Sequence, residues 1–471
     1  MKIQIIQENK AYTFEGLLYL LNLEDIKLKK AVRVLRELNI LKRSTVSNLK
    51  ELNVVVEETS LISFDNSNEY LYYFKYVGIL KVGNICLLVY PKYLSEQTYL
   101  SDQESDYCFL KLVLQVIEKY NYRFQNQAQD TNMKSNYVNI LGVAFQLLKD
   151  YLQNGVYESE QNIVEINGDG ELLWNQTISL NDAYIVENVP IYFDWFTLNQ
   201  ENNINNFFHR LHRIILTEIS LKFQDIFSLL GINAVILSEE NLDSLGEKDY
   251  IVNRINQELS IQFRSDRQNI LKLLKDYILE SNSNHQSDEI SFIGTNTFNL
   301  VWQDVCSIVK NNCLNRKLSD LNVKYKGLSP KRTYLKSIID RPEWKSVNSD
   351  TVNETETFEP DIISFEENNL AIYDAKYYTT SFDSNGKIKN VPGVESLAKQ
   401  IIYELAYRDF ADENDMIISK NSYLMPTEGA TDYVLGSGSI ELFKNHTLGN
   451  INDITIEMIA DRAAFIQYLR S

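Results

Sequence analysis

The sequence lacks the long apolar stretches of a membrane protein and the leader pattern of a secreted one. No run of about 18 apolar residues occurs in the chain, so no transmembrane helix is predicted. The N-terminal segment Met1-Lys2-Ile3-Gln4-Ile5 has neither the apolar core nor the cleavage site of a signal peptide. We therefore predict a cytoplasmic protein that does not contact a membrane.

Cysteine and histidine are scarce, with four residues of each type in the chain. The cysteines lie far apart, apart from Cys306 and Cys313, and their spacing fits neither a disulfide framework nor a zinc site. We predict that they are buried thiols. His209 and His212 share one face of a helical run, and we interpret them as packing or surface residues rather than as metal ligands.

Nucleotide-binding motifs are also missing. Gly386-Lys387 has no upstream glycine of the GxxxxGK[ST] pattern and does not open a helix, so no P-loop is predicted. No GxSxG, HExxH or GxGxxG segment stands out either. The chain is therefore expected to bind no nucleotide, and any energy that its reaction needs must come from another protein.

Positive charge is confined to two segments of an acidic chain with a net charge of −18. Basic side chains are concentrated in residues 27–50 and 316–345, which suggests local nucleic-acid contacts, although each segment could equally be a solvated helix face. The second segment directly precedes the acidic motif described below, which favours binding. The candidate DNA-binding residues are Lys29, Lys30, Arg33, Lys331, Arg332 and Lys336.

The order of patterns predicts a multidomain α+β protein with three parts. Residues 1–60 form a small basic helical module with helices at 14–21 and 26–38, either winged-helix-like or a helical hairpin that docks against a partner. Residues 61–285 form a mixed domain, and residues 286–471 form the third part. The mixed domain is expected to contain strands at 70–80 and 85–90, a hairpin at 163–178, long helices at 205–229 and 252–279, and a polar boundary at 281–289.

The third part contains the most informative motif. Pro360-Asp361 opens an apolar run, a polar turn follows, and the next apolar run ends in Asp374-Ala375-Lys376. Two adjoining strands would bring Asp361, Asp374 and Lys376 together, because strand side chains alternate and Asp374 and Lys376 share a face. Two carboxylates at a sheet end suit Mg²⁺, and a neighbouring lysine can orient or deprotonate water. Predicted helices at 298–313 and 394–410 and a strand at 422–425 complete an α/β sandwich.

With these residues, the C-terminal part resembles the PD-(D/E)xK nuclease superfamily, with a restriction-endonuclease-like α/β/α sandwich. Further segments, in the same order, resemble the LlaJI restriction endonuclease family, a relative of the McrC subunit of modification-dependent restriction systems. They are Tyr76-Val77-Gly78, Tyr90-Pro91-Lys92-Tyr93, Asn167-Gly168-Asp169-Gly170-Glu171, Trp174, Thr177-Ile178, Pro190-Ile191-Tyr192, 298–306 and Arg341-Pro342-Glu343-Trp344.

The resemblance implies a type II/IV-like restriction endonuclease of phage defence that cuts double-stranded DNA with Mg²⁺, for which Mn²⁺ is expected to substitute. Asp361, Asp374 and Lys376 would be catalytic, and the Ala375 carbonyl would join the two aspartates as a metal ligand. It also implies a partner, an McrB-like AAA+ GTPase, which fits the missing P-loop. Residues 1 to about 280 would engage that partner, DNA or both.

One position departs from the family pattern, which tends to place glutamate after the tryptophan where this chain has Gln303. A neutral amide cannot supply a carboxylate. Either Asp304 substitutes, or activity is reduced, or the position is not a ligand, and we favour the last. Gln400, on the helix after the motif, is a further accessory candidate.

Two other hypotheses share these residues. The chain could be a DNA-binding or ring-docking adaptor whose nuclease fold has lost catalysis, as Gln303 and the acidic total would suggest. It could also be a stand-alone nuclease with the same metal chemistry. Titration with Mg²⁺ separates the adaptor from an enzyme, because an adaptor should have no saturable site that depends on Asp361. A requirement for a GTPase in DNA cutting would exclude the stand-alone nuclease.

Overall fold

The structure is a computed structural model that describes residues 2–45, 70–125, 139–158, 160–187, 189–202, 206–281, 290–341, 343–346, 349–354, 357–366, 368–382, 386–441 and 451–471. These residues belong to two compact units, one of Met1–Ser135 with Ile293–Ser471 and one of Asn136–Phe292. The predicted boundaries after residues 60 and 285 lie outside the described residues, so the three-part division stays a prediction. The predicted loop at 125–136 also falls almost entirely outside them.

Helices and strands mix throughout the described residues, which confirms the predicted α+β class. The strands are β1 Lys2–Gln7, β2 Ala11–Tyr12, β3 Leu41–Thr45, β4 Tyr70–Phe74, β5 Val77–Val82, β6 Ile85–Tyr90, β7 Glu160–Ile166, β8 Glu171–Leu172, β9 Tyr184–Val186, β10 Val189–Ile191, β11 Phe196–Asn202, β12 Ile290–Thr295, β13 Glu343–Ser346, β14 Ser349–Glu354, β15 Ile362–Glu366, β16 Asn369–Ala375, β17 Ser381–Phe382, β18 Ile388–Lys389, β19 Ile417–Thr427, β20 Tyr433–Gly438 and β21 Ile454–Ala460. The helices are α1 Phe14–Leu21, α2 Asp25–Glu37, α3 Glu96–Ser101, α4 Cys108–Gln125, α5 Ile140–Asn154, α6 Trp174–Leu180, α7 Phe207–Lys222, α8 Gln224–Leu229, α9 Lys248–Ile261, α10 Ser265–Ser281, α11 Phe298–Val309, α12 Val394–Glu413 and α13 Asp461–Arg470. None of the helices in the described part of the chain has the length and apolar character needed to cross a bilayer.

Two sheets organise the N-terminal part of the first unit. The order β1-β6-β5-β12 makes one sheet, in which β1 runs parallel to β6, and the order β2-β4-β3 makes another beside α1 and α2. The strand predicted at 70–80 is in fact two strands, β4 and β5, because the chain leaves one sheet and enters the other at Lys75. The basic module therefore contains the small sheet β2-β4-β3 as well as the two predicted helices. Its winged-helix-like character stays a prediction.

The second unit corrects one prediction of the sequence. The hairpin expected at 163–178 does not form, because β7 and β8 both pair with β11 rather than with each other, in the order β7-β11-β8. Trp174 then begins helix α6 instead of ending a strand. The backbone N–H and C=O groups of β7 and β8 find their partners in β11, which lies further along the chain. The turn residues between β7 and β8 do not reveal this third strand.

The histidine pair of α7 has the packing role that the sequence favoured. His212 is fully buried, and its Nδ1 accepts a hydrogen bond from the backbone N–H of Tyr157 at 2.9 Å. His209 Nδ1 lies 3.0 Å from the Tyr157 carbonyl oxygen. Burial, with a smaller contribution from His209, lowers the pKa of His212 to about 4.

This pKa predicts acid lability of the second unit. The folded state holds His212 neutral, whereas the unfolded chain binds a proton below about pH 6.5, so stability falls as pH drops from 6.5 toward 4. The depression of the pKa corresponds to roughly 3 kcal/mol. His212→Asn keeps an acceptor near the position of Nδ1 and does not titrate. Urea unfolding at pH 7 and pH 4 should therefore show a smaller loss in the variant, and equal losses would contradict the assignment.

The five-stranded sheet β15-β16-β19-β21-β20 of the first unit has helices on both faces. Strand alternation puts Leu370 and Ile372 of β16 on the face that packs against Tyr407 and Phe410 of α12. The opposite face carries Tyr373, whose ring centroid is 5.2 Å from the Nζ of Lys310, just after α11. Trp302 of α11 packs on Phe465 of α13 with ring centroids 6.2 Å apart.

This layering agrees with the predicted α/β/α sandwich, with shifts at element ends. The helix predicted at 298–313 ends at Val309, because Asn311 adopts a left-handed conformation with φ 52°. The strand predicted at 422–425 extends over Ile417–Thr427, and the helix predicted at 394–410 extends to Glu413. The loop expected at 383–390 contains β18, which pairs with β17.

Candidate active site

Strands β15 and β16 bring the predicted triad together. They pair antiparallel with Ile362 opposite Tyr373, so Asp361, one residue before β15, lies beside the end of β16. The backbone N–H of Ala375 donates to Asp361 Oδ2 at 3.0 Å. On the same strand end, Lys376 Nζ lies 2.6 Å from Asp374 Oδ2. The two carboxylates and the ammonium therefore meet at one sheet end, as the spacing predicted.

Backbone anchors hold this end of the sheet in place. The side chain of Asn312 donates to the Asp361 carbonyl at 3.0 Å and accepts from the Ile363 N–H at 3.2 Å. The carbonyl of Leu424 in β19 accepts the Lys376 N–H at 2.9 Å and the indole N–H of Trp302 at 3.1 Å. Main-chain hydrogen bonds thus hold the backbone of the triad residues in place at the end of the sheet.

The electrostatics of the site are those of two carboxylates pressed together. Burial, followed by the adjacent Asp374 carboxylate, raises the pKa of Asp361 to about 7, against the opposing effects of the Ala375 N–H and Lys376. One proton or one cation between the two carboxylates relieves the repulsion.

The donor set fits a hard divalent cation. Asp374 Oδ2 is buried and makes no hydrogen bond of normal geometry with the described residues, although the Lys376 ammonium is near. The Asp361 carboxylate accepts hydrogen bonds from Gln303 and Ala375 and has further lone pairs for a metal ion. The Ala375 carbonyl follows Asp374 on the same strand end and is a further candidate ligand. No group of three or more His, Cys, Asp or Glu side chains that could hold a metal occurs in the described parts of the chain. Water or phosphate oxygens would have to complete the six ligands that Mg²⁺ requires.

The accessory candidates have different surroundings. Gln303 reaches the pair, since its Nε2 donates to Asp361 Oδ1 at 2.8 Å. The carboxylate of Asp304 instead accepts from Arg123 at 2.7 Å and from the Tyr468 hydroxyl at 2.5 Å, so the structure does not bring it to the triad. Gln400 is buried, and its Nε2 has no hydrogen-bond partner among the described residues.

Two tyrosines near the triad were missed by the sequence. Tyr423 of β19 is opposite Asp374 in the strand register and is buried, with Lys376 Nζ 5.9 Å from its ring centroid. Burial, then the carboxylates of Asp374 and Asp361, raises the pKa of Tyr403 to about 12. No sequence signal identifies Tyr423, because only the pairing of β16 with β19 brings it to the site.

The basic candidates are all exposed. In α2, Lys29 pairs with Asp25 at 2.6 Å and Arg33 with Glu37 at 3.0 Å, and Lys30 is exposed between them. The surface ion pairs match a solvated helix face as well as a binding face.

The second basic segment contributes to a surface cleft. Lys331 and Arg332 are exposed, and Lys336 lines a cleft of about 780 Å³ together with Arg341 and Glu359. Glu359 is two residues before Asp361 in the sequence, whereas no member of the triad lines the cleft. DNA binding by either segment stays a prediction.

Known proteins resemble this chain over most of its length. The model of the LlaJI restriction endonuclease family matches residues 76–459. The chain is 26% identical over 398 residues to the type II restriction enzyme BsuMI component YdjA of Bacillus subtilis (strain 168), covering 82% of this chain and 79% of that protein. A half-complex of Thermococcus gammatolerans McrB AAA+ hexamers with bound McrC matches 100% of this chain and 99% of that one, with 14% identity and a TM-score of 0.37. The cryo-EM structure of the McrBC complex of the same organism matches 58% of this chain and 80% of that one, with 15% identity and a TM-score of 0.23.

Proposed function

The chain belongs to the LlaJI restriction endonuclease family, as its motifs predicted, and on this premise we propose that it is the Mg²⁺-dependent nuclease subunit of a GTP-dependent restriction system. Family membership makes it a restriction-system protein. Our proposal goes further in four respects. It assigns to the chain the cleavage of double-stranded DNA, a requirement for Mg²⁺, a GTPase partner and a PD-(D/E)xK fold for the C-terminal sheet.

The observation that supports the proposal best is the meeting of Asp361, Asp374 and Lys376 at one sheet end. When bound there, a divalent cation would polarise a phosphodiester and acidify water. The Lys376 ammonium, held 2.6 Å from Asp374, is positioned to donate to a non-bridging phosphate oxygen and to offset charge as it develops. Gln303 fixes the orientation of the Asp361 carboxylate from the side of α11.

A protein partner is supported by the missing P-loop and by the surface of the second unit. Large apolar side chains that are usually buried lie exposed along residues 164–195. They include Ile166, Trp174, Ile178, Leu180, Ile185, Val189 and Phe193. We propose that this surface contacts an McrB-like AAA+ GTPase.

Cleavage of a closed circular duplex tests the function. With an McrB-like GTPase, GTP and Mg²⁺, we expect the supercoiled DNA to become linear or nicked. Omitting the GTPase or GTP, or adding a chelator, should leave it intact. Cutting without any GTPase would instead identify a stand-alone nuclease, and no cutting under any condition would contradict the nuclease assignment.

The adaptor alternative is favoured by one observation, the neutral amide of Gln303 beside Asp361. Calorimetric titration with Mg²⁺ separates the two functions. The nuclease is expected to show a saturable site that Asp361→Asn removes, whereas an adaptor shows no site that depends on Asp361.

A further inference from the structure

A buried polar cluster lies directly behind the catalytic lysine. Tyr377 follows Lys376 in the chain and is buried, and its hydroxyl donates to Glu8 Oε2 at 2.5 Å. The backbone N–H of Lys92 lies 3.3 Å from the same Glu8 oxygen and 3.2 Å from the Tyr377 hydroxyl. The Lys92 ammonium is 4.7 Å from the centroid of the Tyr377 ring. We call Glu8, Lys92 and Tyr377 the anchor cluster.

The anchor cluster joins distant segments of the first unit. Glu8 follows β1, and its own N–H donates to the Tyr90 carbonyl at 2.8 Å. The Lys92 carbonyl accepts from the Gln7 side chain at 2.9 Å and from the Thr379 hydroxyl at 3.2 Å. The backbone of Lys92 thus contacts both the end of β1 and the segment that leaves β16.

The cluster is too buried to be an incidental surface contact. Glu8 is 5% exposed, and burial raises its pKa while it lowers that of Lys92. A carboxylate removed from water needs charged or hydrogen-bonding partners, and here they are the Tyr377 hydroxyl and Lys92. Tyr377 is also held by Phe298, whose ring centroid is 5.2 Å from its own. The ring is therefore held by Phe298 and its hydroxyl by Glu8.

We propose that Tyr377 is a positioning residue for Lys376, and that its hydrogen bond to Glu8 ties the catalytic strand end to the N-terminal sheet. The Lys376 backbone is fixed on one side by Leu424 and on the other by Tyr377. With both anchors in place, Nζ lies against Asp374. The placement of the Lys376 amine matters, since a displacement of about 1 Å can cost roughly 100-fold in rate. This inference rests on the proposed function in one respect, the catalytic role of Lys376.

A chemical readout tests the proposal without DNA cleavage. Acetic anhydride labelling, followed by peptide mass spectrometry, reports how firmly the Lys376 amine is held. Tyr377→Phe removes one hydroxyl and keeps the ring, so we expect Lys376 to label several-fold faster. The matched control is Tyr277→Phe, which removes the hydrogen bond of another buried tyrosine to a carboxylate, that of Glu218 at 3.0 Å, in the second unit. It should leave the labelling of Lys376 unchanged.

Single-turnover cleavage by the full system supplies the second readout. Tyr377→Phe is expected to lower the cleavage rate constant about 10-fold with DNA affinity unchanged, in a protein that stays folded at the assay temperature. Adding Glu8→Gln should reduce the rate little further, because both changes weaken the same contact. Wild-type labelling of Lys376 in Tyr377→Phe, or equal acceleration in Tyr277→Phe, would overturn the proposal. If the wild-type protein cuts no DNA, the proposed function fails, while the labelling result still decides the role of Tyr377.

Discussion

Asp374→Asn is expected to lower DNA cleavage at least about 1000-fold, equivalent to about 4 kcal/mol of activation free energy. Asparagine keeps the shape of the side chain but removes the anionic oxygen that faces both the metal position and the Lys376 ammonium. The measurement is the rate of conversion of supercoiled DNA by the complete system with Mg²⁺.

The same change should not unfold the protein. Asp374 raises the pKa of Asp361 by repulsion, so replacing it with a neutral residue relieves that repulsion and should maintain the thermal midpoint. Asp409→Asn is the matched control, because it removes one negative charge from an exposed pair with Lys326 at 3.4 Å. Retained cutting by a normally folded Asp374→Asn protein would remove the catalytic assignment.

Gly78→Ala is expected to lower the free energy of unfolding by roughly 4 kcal/mol, from backbone strain and steric overlap together. Gly78 has φ +136°, and a Cβ there would lie 2.2 Å from the Ile293 carbonyl oxygen and 2.7 Å from the Gly294 Cα. Both neighbours are backbone atoms of β12, so β5 and β12 would have to separate. Chemical denaturation followed by tryptophan fluorescence measures the loss.

Gly327→Ala separates the two contributions. Gly327 also has a positive φ of +67°, but a Cβ there meets nothing within 4 Å. We expect a loss of about 1 kcal/mol, the cost of a left-handed alanine. If Gly78→Ala is no worse than this control, close approach of β5 and β12 does not explain the glycine.

The meeting of Asp361, Asp374 and Lys376 could be predicted from the sequence because the three residues are close along the chain. An apolar run, a polar turn and a second apolar run specify an antiparallel pair, and side-chain alternation then sets the faces of Asp374 and Lys376. The same local logic failed at residues 163–178. There the turn residues correctly end β7, but the partner of β7 and β8 is β11.

The residues that support the triad show the limit of local reasoning. Gln303 was predicted as a departure from the family pattern, yet only the packing of α11 brings its amide to Asp361. Asp304, its neighbour, points to Arg123 and Tyr468 because successive helical residues are about 100° apart. The sequence favoured a position that is not a metal ligand, but it did not show which of the two side chains faces Asp361.

By itself, the sequence determined the α+β class, the family and the three residues of the DxK-type motif, because periodicity, turn chemistry and ordered motifs are local properties of the chain. Only the tertiary structure decided which distant residues surround them. Tyr423 reaches Asp374 through strand pairing, and Glu8 reaches Tyr377 across more than 360 positions of sequence. Such contacts form because buried polar groups need hydrogen-bond partners and apolar faces pack away from water. The partners come from distant parts of the chain, so their pairing leaves no local pattern in the sequence.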